Sequence, residues 1–166
     1  MRSAPILLTF GLAASTLAAA VQPNPPSVSD QVFVTKAGQG NLFEIDAAKI
    51  ALSLGQTPAV KAYAQQMITD HTKLGAEVKA AISGTNLMLP TTVSPAQQMQ
   101  LNALKASKSN FDAQYRLMMV MSHYDTYTVF QSYVKVGHTP PLQRVIEGAL
   151  PVVKMHWDMA GQLPSL

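Results

Sequence analysis

The sequence predicts an all-α protein, a four-helix bundle with a long crossover between its second and third long helices. Three observations carry this. Four long stretches repeat apolar or small side chains at steps of three and four, the period of a helix with one buried stripe. The turn Gly55-Gln56-Thr57-Pro58 returns as Gly137-His138-Thr139-Pro140, which predicts two helical hairpins with matching turns. Between the hairpins lies residues 84–110, a connection long enough to run the length of a bundle.

The first long helix is expected over residues 30–54, with the stripe Phe33, Ala37, Gly40, Glu44, Ala47, Ala51 and Leu54. Gly40 is read as a close helix–helix approach, and Glu44 interrupts an otherwise apolar face. Gly55 is expected to take a left-handed cap, Thr57 the N-cap and Pro58 the first helical position. The second helix is expected over 58–82, its stripe running Val60, Ala64, Met67, His71, Leu74 and Val78. A histidine therefore stands where the period asks for a core residue.

Gly84, Asn86 and Pro90 end that helix. Ser94-Pro95-Ala96-Gln97 has the form of a capping box with proline at the first helical position, so a short helix should follow to Ala106. Asn110 can cap the third long helix, over 111–136, with Asp112 in its first turn, where a negative charge suits the helix dipole. Its stripe takes Asp112, Tyr115, Met119, His123, Thr126, Phe130 and Tyr133, with Ser122 competing for the inward position. The fourth, over 140–163, shows Leu142, Ile146, Ala149, Val153, His156, Ala160 and Leu163, and Pro151 should kink it. The lengthwise crossover sets the second and third long helices parallel, as in ferritin-like folds.

Composition narrows the function. Of 166 residues, 13% are charged and 48% apolar, enough for one domain with a real core. The net charge is only +3, and lysines and arginines are scattered, so nucleic acid is not an expected partner. With no cysteine there is no disulfide framework, zinc finger or thiol nucleophile. Residues 1–20 read as a secretory signal peptide: Arg2 begins it, an apolar or small run follows, and Ala18-Ala19-Ala20 offers a cleavage site. The run falls short of the roughly 20 residues of a membrane span. A periplasmic or secreted protein is expected, with a Pro-rich linker over 21–29 and the bundle over 30–164. No G-x-S-x-G and no P-loop is present, so neither a serine hydrolase nor a phosphate enzyme is expected.

Under the crossover topology the polar interruptions converge. His71 lies 13 residues after Pro58, and His123 lies 13 after Asn110. Counting back and forward from the two turns brings Glu44 and His156 within one or two turns of that level, at about 1.5 Å rise per residue. Glu44, His71, His123 and His156 are thus the candidate metal ligands, one from each long helix. Three histidines and a carboxylate form a plausible set for zinc, copper, iron or manganese. Met67 and Met119 each precede a candidate histidine by four, and their thioethers would favour copper(I). Asp70 points away from the His71 face and is read as orienting a histidine or solvating a surface. Asp112 is too far along its helix to join the site. His138 is given no role.

The same residues carry a family resemblance. Phe33-Val34, Gly40-Asn41, Glu44-Ile45, Val60-Lys61, Met67, Asp70-His71-Thr72, Leu89-Pro90, Phe111-Asp112, Tyr115, His123, Leu150-Pro151 and His156 resemble the exported bacterial family called domain of unknown function 4142. The resemblance spans residues 31–163. It implies a ferritin-like bundle behind a signal peptide and no established activity. Di-iron proteins of ferritin-like fold use Glu-x-x-His on two helices; here Ile68, Val120 and Val153 stand three before the histidines. A single-metal site is therefore expected rather than ferroxidase or oxygenase chemistry. Two functions fit: a transition-metal-binding bundle, or a non-catalytic envelope structural or interaction module whose histidines form a hydrogen-bond network.

Overall fold

The computed structural model describes residues 28–164. The expected signal peptide and residues 21–27 of the linker lie outside the described residues. Five α-helices follow in order: α1 (Val28–Leu54), α2 (Pro58–Ala81), α3 (Pro95–Ala106), α4 (Phe111–Val136) and α5 (Pro140–Gln162), with a single 3-10 turn, Lys108–Asn110, before α4. The first helix starts two residues before its expected position, so Val28 and Ser29 are already helical.

The four long helices form two hairpins, α1–α2 and α4–α5. α1 also packs on α4, and α2 on α5. The crossover starts beside the beginning of α1, where the Gln31 amide bonds Met88 in both directions. Its Nε2 donates to the Met88 carbonyl at 2.9 Å, and its Oε1 accepts from the Met88 N–H at 2.9 Å. It ends at the α1–α2 turn, where α4 begins. α2 and α4 therefore start at the same end and run parallel, as the length of the connection requires. Midway, α3 opens with the expected capping box between Ser94 and Gln97 and buries Leu101 and Leu104.

Two buried aspartates lock this order. Asp112, in the first turn of α4, accepts from the Gln56 and Thr57 N–H groups of the α1–α2 turn at 2.8 and 2.9 Å. Asp30, in the first turn of α1, accepts from the His138 N–H at 3.0 Å and the Thr139 hydroxyl at 3.2 Å in the α4–α5 turn. Each aspartate precedes the threonine of its own hairpin turn by 27 residues, yet each clamps the other hairpin's turn. The repeat seen in the turns thus extends to a reciprocal pair of clamps, possible only where each hairpin's first helix begins beside the other's turn.

Several local expectations change. Gly84 is the one described glycine with positive φ, so Gly55 takes no left-handed cap. What Gly55 supplies is room: a Cβ there would meet the Ala51 carbonyl oxygen at 2.5 Å, and one at Gly137 would meet the Tyr133 ring at 2.6 Å. Gly40 is not the close approach either, since its nearest neighbour for a Cβ is Thr126 at 3.8 Å; Gly38 is, because a Cβ there would meet the Pro90 ring of the crossover at 2.6 Å. Leu54, at the end of its stripe, is 42% exposed. Asn110 makes no side-chain cap bond, because the 3-10 turn before it already directs the chain into α4. Helix α5 continues through Pro151, whose missing N–H bond falls on an exposed stretch of helix.

The apolar core divides in two. One cluster, including Phe43, Met67, Phe111, Tyr115 and Met119, fills the end at the α1–α2 turn. The other, including Phe33, Val78, Phe130, Leu142 and Ile146, fills the end at the α4–α5 turn. On α2, α4 and α5 the histidine falls between the two, and on α1 Glu44 lies beside Phe43 at the edge of the first.

Candidate metal centre

The structure brings all four predicted site residues to this middle layer. Glu44, His71, His123 and His156 are each no more than 2% exposed. Centroids of the three imidazole rings lie 5.3, 5.5 and 5.7 Å apart. One ring nitrogen from each histidine lies within 4.8 Å of those of the other two.

The outward nitrogens define the tautomers, because each faces a partner that can only accept. His123 Nδ1 donates to the Met119 carbonyl at 2.8 Å. His156 Nε2 donates to Asp70 Oδ2 at 2.8 Å. His71 Nδ1 lies 3.1 Å from Asn41 Oδ1 and 3.2 Å from Glu44 Oε2. In each neutral ring the remaining nitrogen then carries a lone pair. Those nitrogens, His71 Nε2, His123 Nε2 and His156 Nδ1, are buried and make no hydrogen bond.

Glu44 sits differently from the histidines. Its Oε1 accepts from the Ser122 hydroxyl at 2.7 Å and lies 3.6 Å from His123 Nδ1, while Oε2 faces His71 Nδ1. Its carboxylate therefore lies against the outward nitrogens of two rings, and the donor atoms grouped within 4.8 Å belong to the three histidines. Ser122 and His123 do not compete for the inward position, since both reach Glu44.

Burial sets the charge states. It pushes His71 down to about 4, against the raising influence of Glu44, so the ring is neutral at neutral pH. His156 is also lowered by burial, although Asp70 opposes it. Burial alone would raise the Glu44 carboxyl; the fields of His123 and His71 and the Ser122 hydroxyl outweigh it and hold the group below its ordinary value. His71 and His156 thus present neutral nitrogens beside a buried carboxylate, a setting that favours a cation.

Sequence reasoning missed two of these contacts. Asn41 lies three residues before Glu44 on the same helix face, a spacing that could have flagged it. The Met119 carbonyl had no signal in side-chain pattern. Asp70 does orient a histidine, but on the neighbouring helix: it reaches across to α5 and leaves His71, its own neighbour, to α1. Met67 and Met119 are both fully buried in the adjoining apolar cluster.

One side of the centre borders a groove. On the side of α1 and α4, Ser122 bonds Glu44, and the groove there is lined by none of the histidines. Between α2 and α5, a groove of about 750 Å³ is lined by Asp70, His71 and His156 at one end and reaches Ala81 and Pro141 at the other.

The family model described as "Domain of unknown function (DUF4142)" matches residues 14–163. A solved structure, a DUF305 fragment from Deinococcus radiodurans, is similar in fold, with a TM-score of 0.72 at 13% identity, covering 83% of this chain and 96% of that one. At that identity the likeness concerns the fold alone. No curated protein matches the chain.

Proposed function

The chain belongs to the DUF4142 family, whose description assigns no activity, and we propose that it is an exported bundle that binds one transition-metal ion in its core. One observation carries the reading: three buried imidazoles each spend one N–H on an oxygen acceptor and each leave the other nitrogen bare. A buried polar atom without a partner costs about 1–3 kcal/mol. Three in one layer amount to a cost that a hydrogen-bond network built for stability alone would avoid, and that a metal ion would offset.

In this reading His71, His123 and His156 supply the bare nitrogens. Asp70, the Met119 carbonyl and the Asn41–Glu44 pair hold the rings from behind, as hydrogen-bond acceptors commonly do for metal-bound histidines. Glu44, proposed from the sequence as a fourth ligand, is better placed to balance the ion's charge through His71. Three nitrogen donors suit zinc or copper, and suit oxygen-preferring manganese less. The ion would add Lewis acidity to a protein that otherwise offers only binding groups. Export rests on residues 1–20; among the described residues no helix is long and apolar enough to cross a membrane.

The test is metal content. Protein purified without chelator or affinity tag, then dialysed against zinc or copper(II), should hold one ion per chain, and His123→Ala and His156→Ala should each abolish that stoichiometry. Wild-type protein that retains neither ion would remove the metal reading and leave the envelope module with an internal network.

A further inference from the structure

Three donors leave a four-coordinate ion one position that the protein does not fill. Which side it faces is decided by packing. On the α1–α4 side a groove of about 680 Å³ reaches Ser122, which bonds Glu44, but none of the three histidines lines it. The α2–α5 side carries the groove, with His71 and His156 at its end. Its walls are mainly apolar, formed by Leu74, Val145, Val152 and Val153 among others, with Lys73, Glu77 and Arg144 also lining it, and its volume of about 750 Å³ lies within the range of small-molecule sites.

From this juxtaposition we infer that the α2–α5 groove is a binding site for a small organic ligand that completes the metal's coordination. The ligand class follows from the chemistry of the walls and the core. An apolar body suits the groove, and a single donor atom must reach the histidine layer. That donor is neutral. Glu44 and Asp70 already set two carboxylates against the rings, matching the charge of a divalent ion, and burial opposes any further net charge. A neutral nitrogen heterocycle or thioether on an apolar frame meets these conditions better than a small anion does. The inference rests on the metal reading above.

Cobalt(II), whose visible absorption reports coordination, is a suitable probe. Cobalt-loaded protein would be titrated with imidazole, 4-phenylimidazole and azide. The expected result is a change in the cobalt spectrum with both imidazoles, with 4-phenylimidazole binding about tenfold or more tightly than imidazole because its ring is buried in the groove. Azide should bind more weakly than either.

Gly148→Phe provides the control. Gly148 lines the groove, and an added Cβ there meets nothing within 4 Å, so the helix keeps its packing while the groove fills. This variant should take up cobalt as wild type does and lose the preference for 4-phenylimidazole; circular dichroism confirms its helicity. Cobalt that binds but ignores all three ligands, or equal affinity for the two imidazoles in wild type, would overturn the groove site and leave the metal reading intact. Preference unchanged in Gly148→Phe would also overturn it. Failure of cobalt to bind at all would remove both.

Discussion

The bundle buries an aspartate at each end and three imidazoles with Glu44 at its middle. At the ends, Asp112 uses both oxygens on two turn N–H groups, and Asp30 uses both on an N–H and a hydroxyl. At the middle, each histidine is satisfied on one side and bare on the other. Both regions are fully buried and both cross between hairpins, so burial does not distinguish them. Among their ionisable side chains completion does, although the buried Tyr115 hydroxyl at one end also makes no hydrogen bond. The aspartates, whose partners lie within the fold, report on the fold, whereas three half-paired imidazoles gathered in one layer are what the metal reading explains.

The strongest way to break this comparison is to remove an end clamp. Asp112→Ala leaves two buried turn N–H groups without acceptors, and bonds to a charged group are worth about 1.5–3 kcal/mol each. Urea unfolding should show a loss of about 4 kcal/mol, the same with and without metal; a loss under 1 kcal/mol would mean that the clamps do not hold the crossover.

Acid should act on the middle. His71 is pushed down to about 4 in the folded chain, against about 6.5 when unfolded. Between those values the unfolded state binds a proton that the folded state does not. The contribution of neutral, buried His71 is therefore complete above pH 6.5 and is lost as pH falls toward 4, on the order of 3 kcal/mol for this group. Denaturation of metal-free protein at pH 7 and pH 4.5 checks it. In His71→Gln the extra loss across that window should shrink.

Metal should act on the middle alone. At a hundredfold excess of zinc over its dissociation constant, stability should rise by about 2.7 kcal/mol. That gain should disappear in His123→Ala and in His156→Ala but survive in Asp30→Asn, if the latter remains folded. Melting curves with and without zinc would show it, and a gain that persists in both histidine variants would place the ion elsewhere.

The smallest effect sharpens the boundary between binding and orienting. Asp70 touches no other candidate donor but fixes the His156 ring through Nε2. Asp70→Ala should weaken metal affinity by about tenfold, the low end for loss of a group behind a metal-bound histidine, while leaving the stoichiometry at one. A competition titration with a chromophoric chelator measures it; no change in affinity would make the Asp70 bond incidental.

Much of the fold could be read from the sequence because its signals are local. The three-and-four spacing of Val60, Ala64 and Met67, the Ser94–Gln97 capping box and the paired G-x-T-P turns each act within a few residues, where propensity and period are decisive. The common level of Glu44, His71, His123 and His156 was also legible, because helix rise is constant and the connection length chose the crossover. Less legible were the glycines. Gly55 reads as a left-handed cap by type, but its role is set by the Ala51 carbonyl beside it, and Gly38 is made essential by Pro90, which lies far along the chain.

Period, turn chemistry and counting along the chain suffice to make this an α-helical protein of two matched hairpins with four polar residues in one layer. Packing in three dimensions sets which ring nitrogen each histidine leaves bare, that Glu44 faces the hydrogen-bonded nitrogens of two rings, that Asp70 serves α5 rather than its own neighbour, and that each aspartate clamps the opposite hairpin. Those are matters of side-chain direction across helix interfaces. A hydrogen bond of about 3 Å depends on the rotation of each helix about its axis, and that rotation is set by the packing of the whole core rather than by any one stretch of chain.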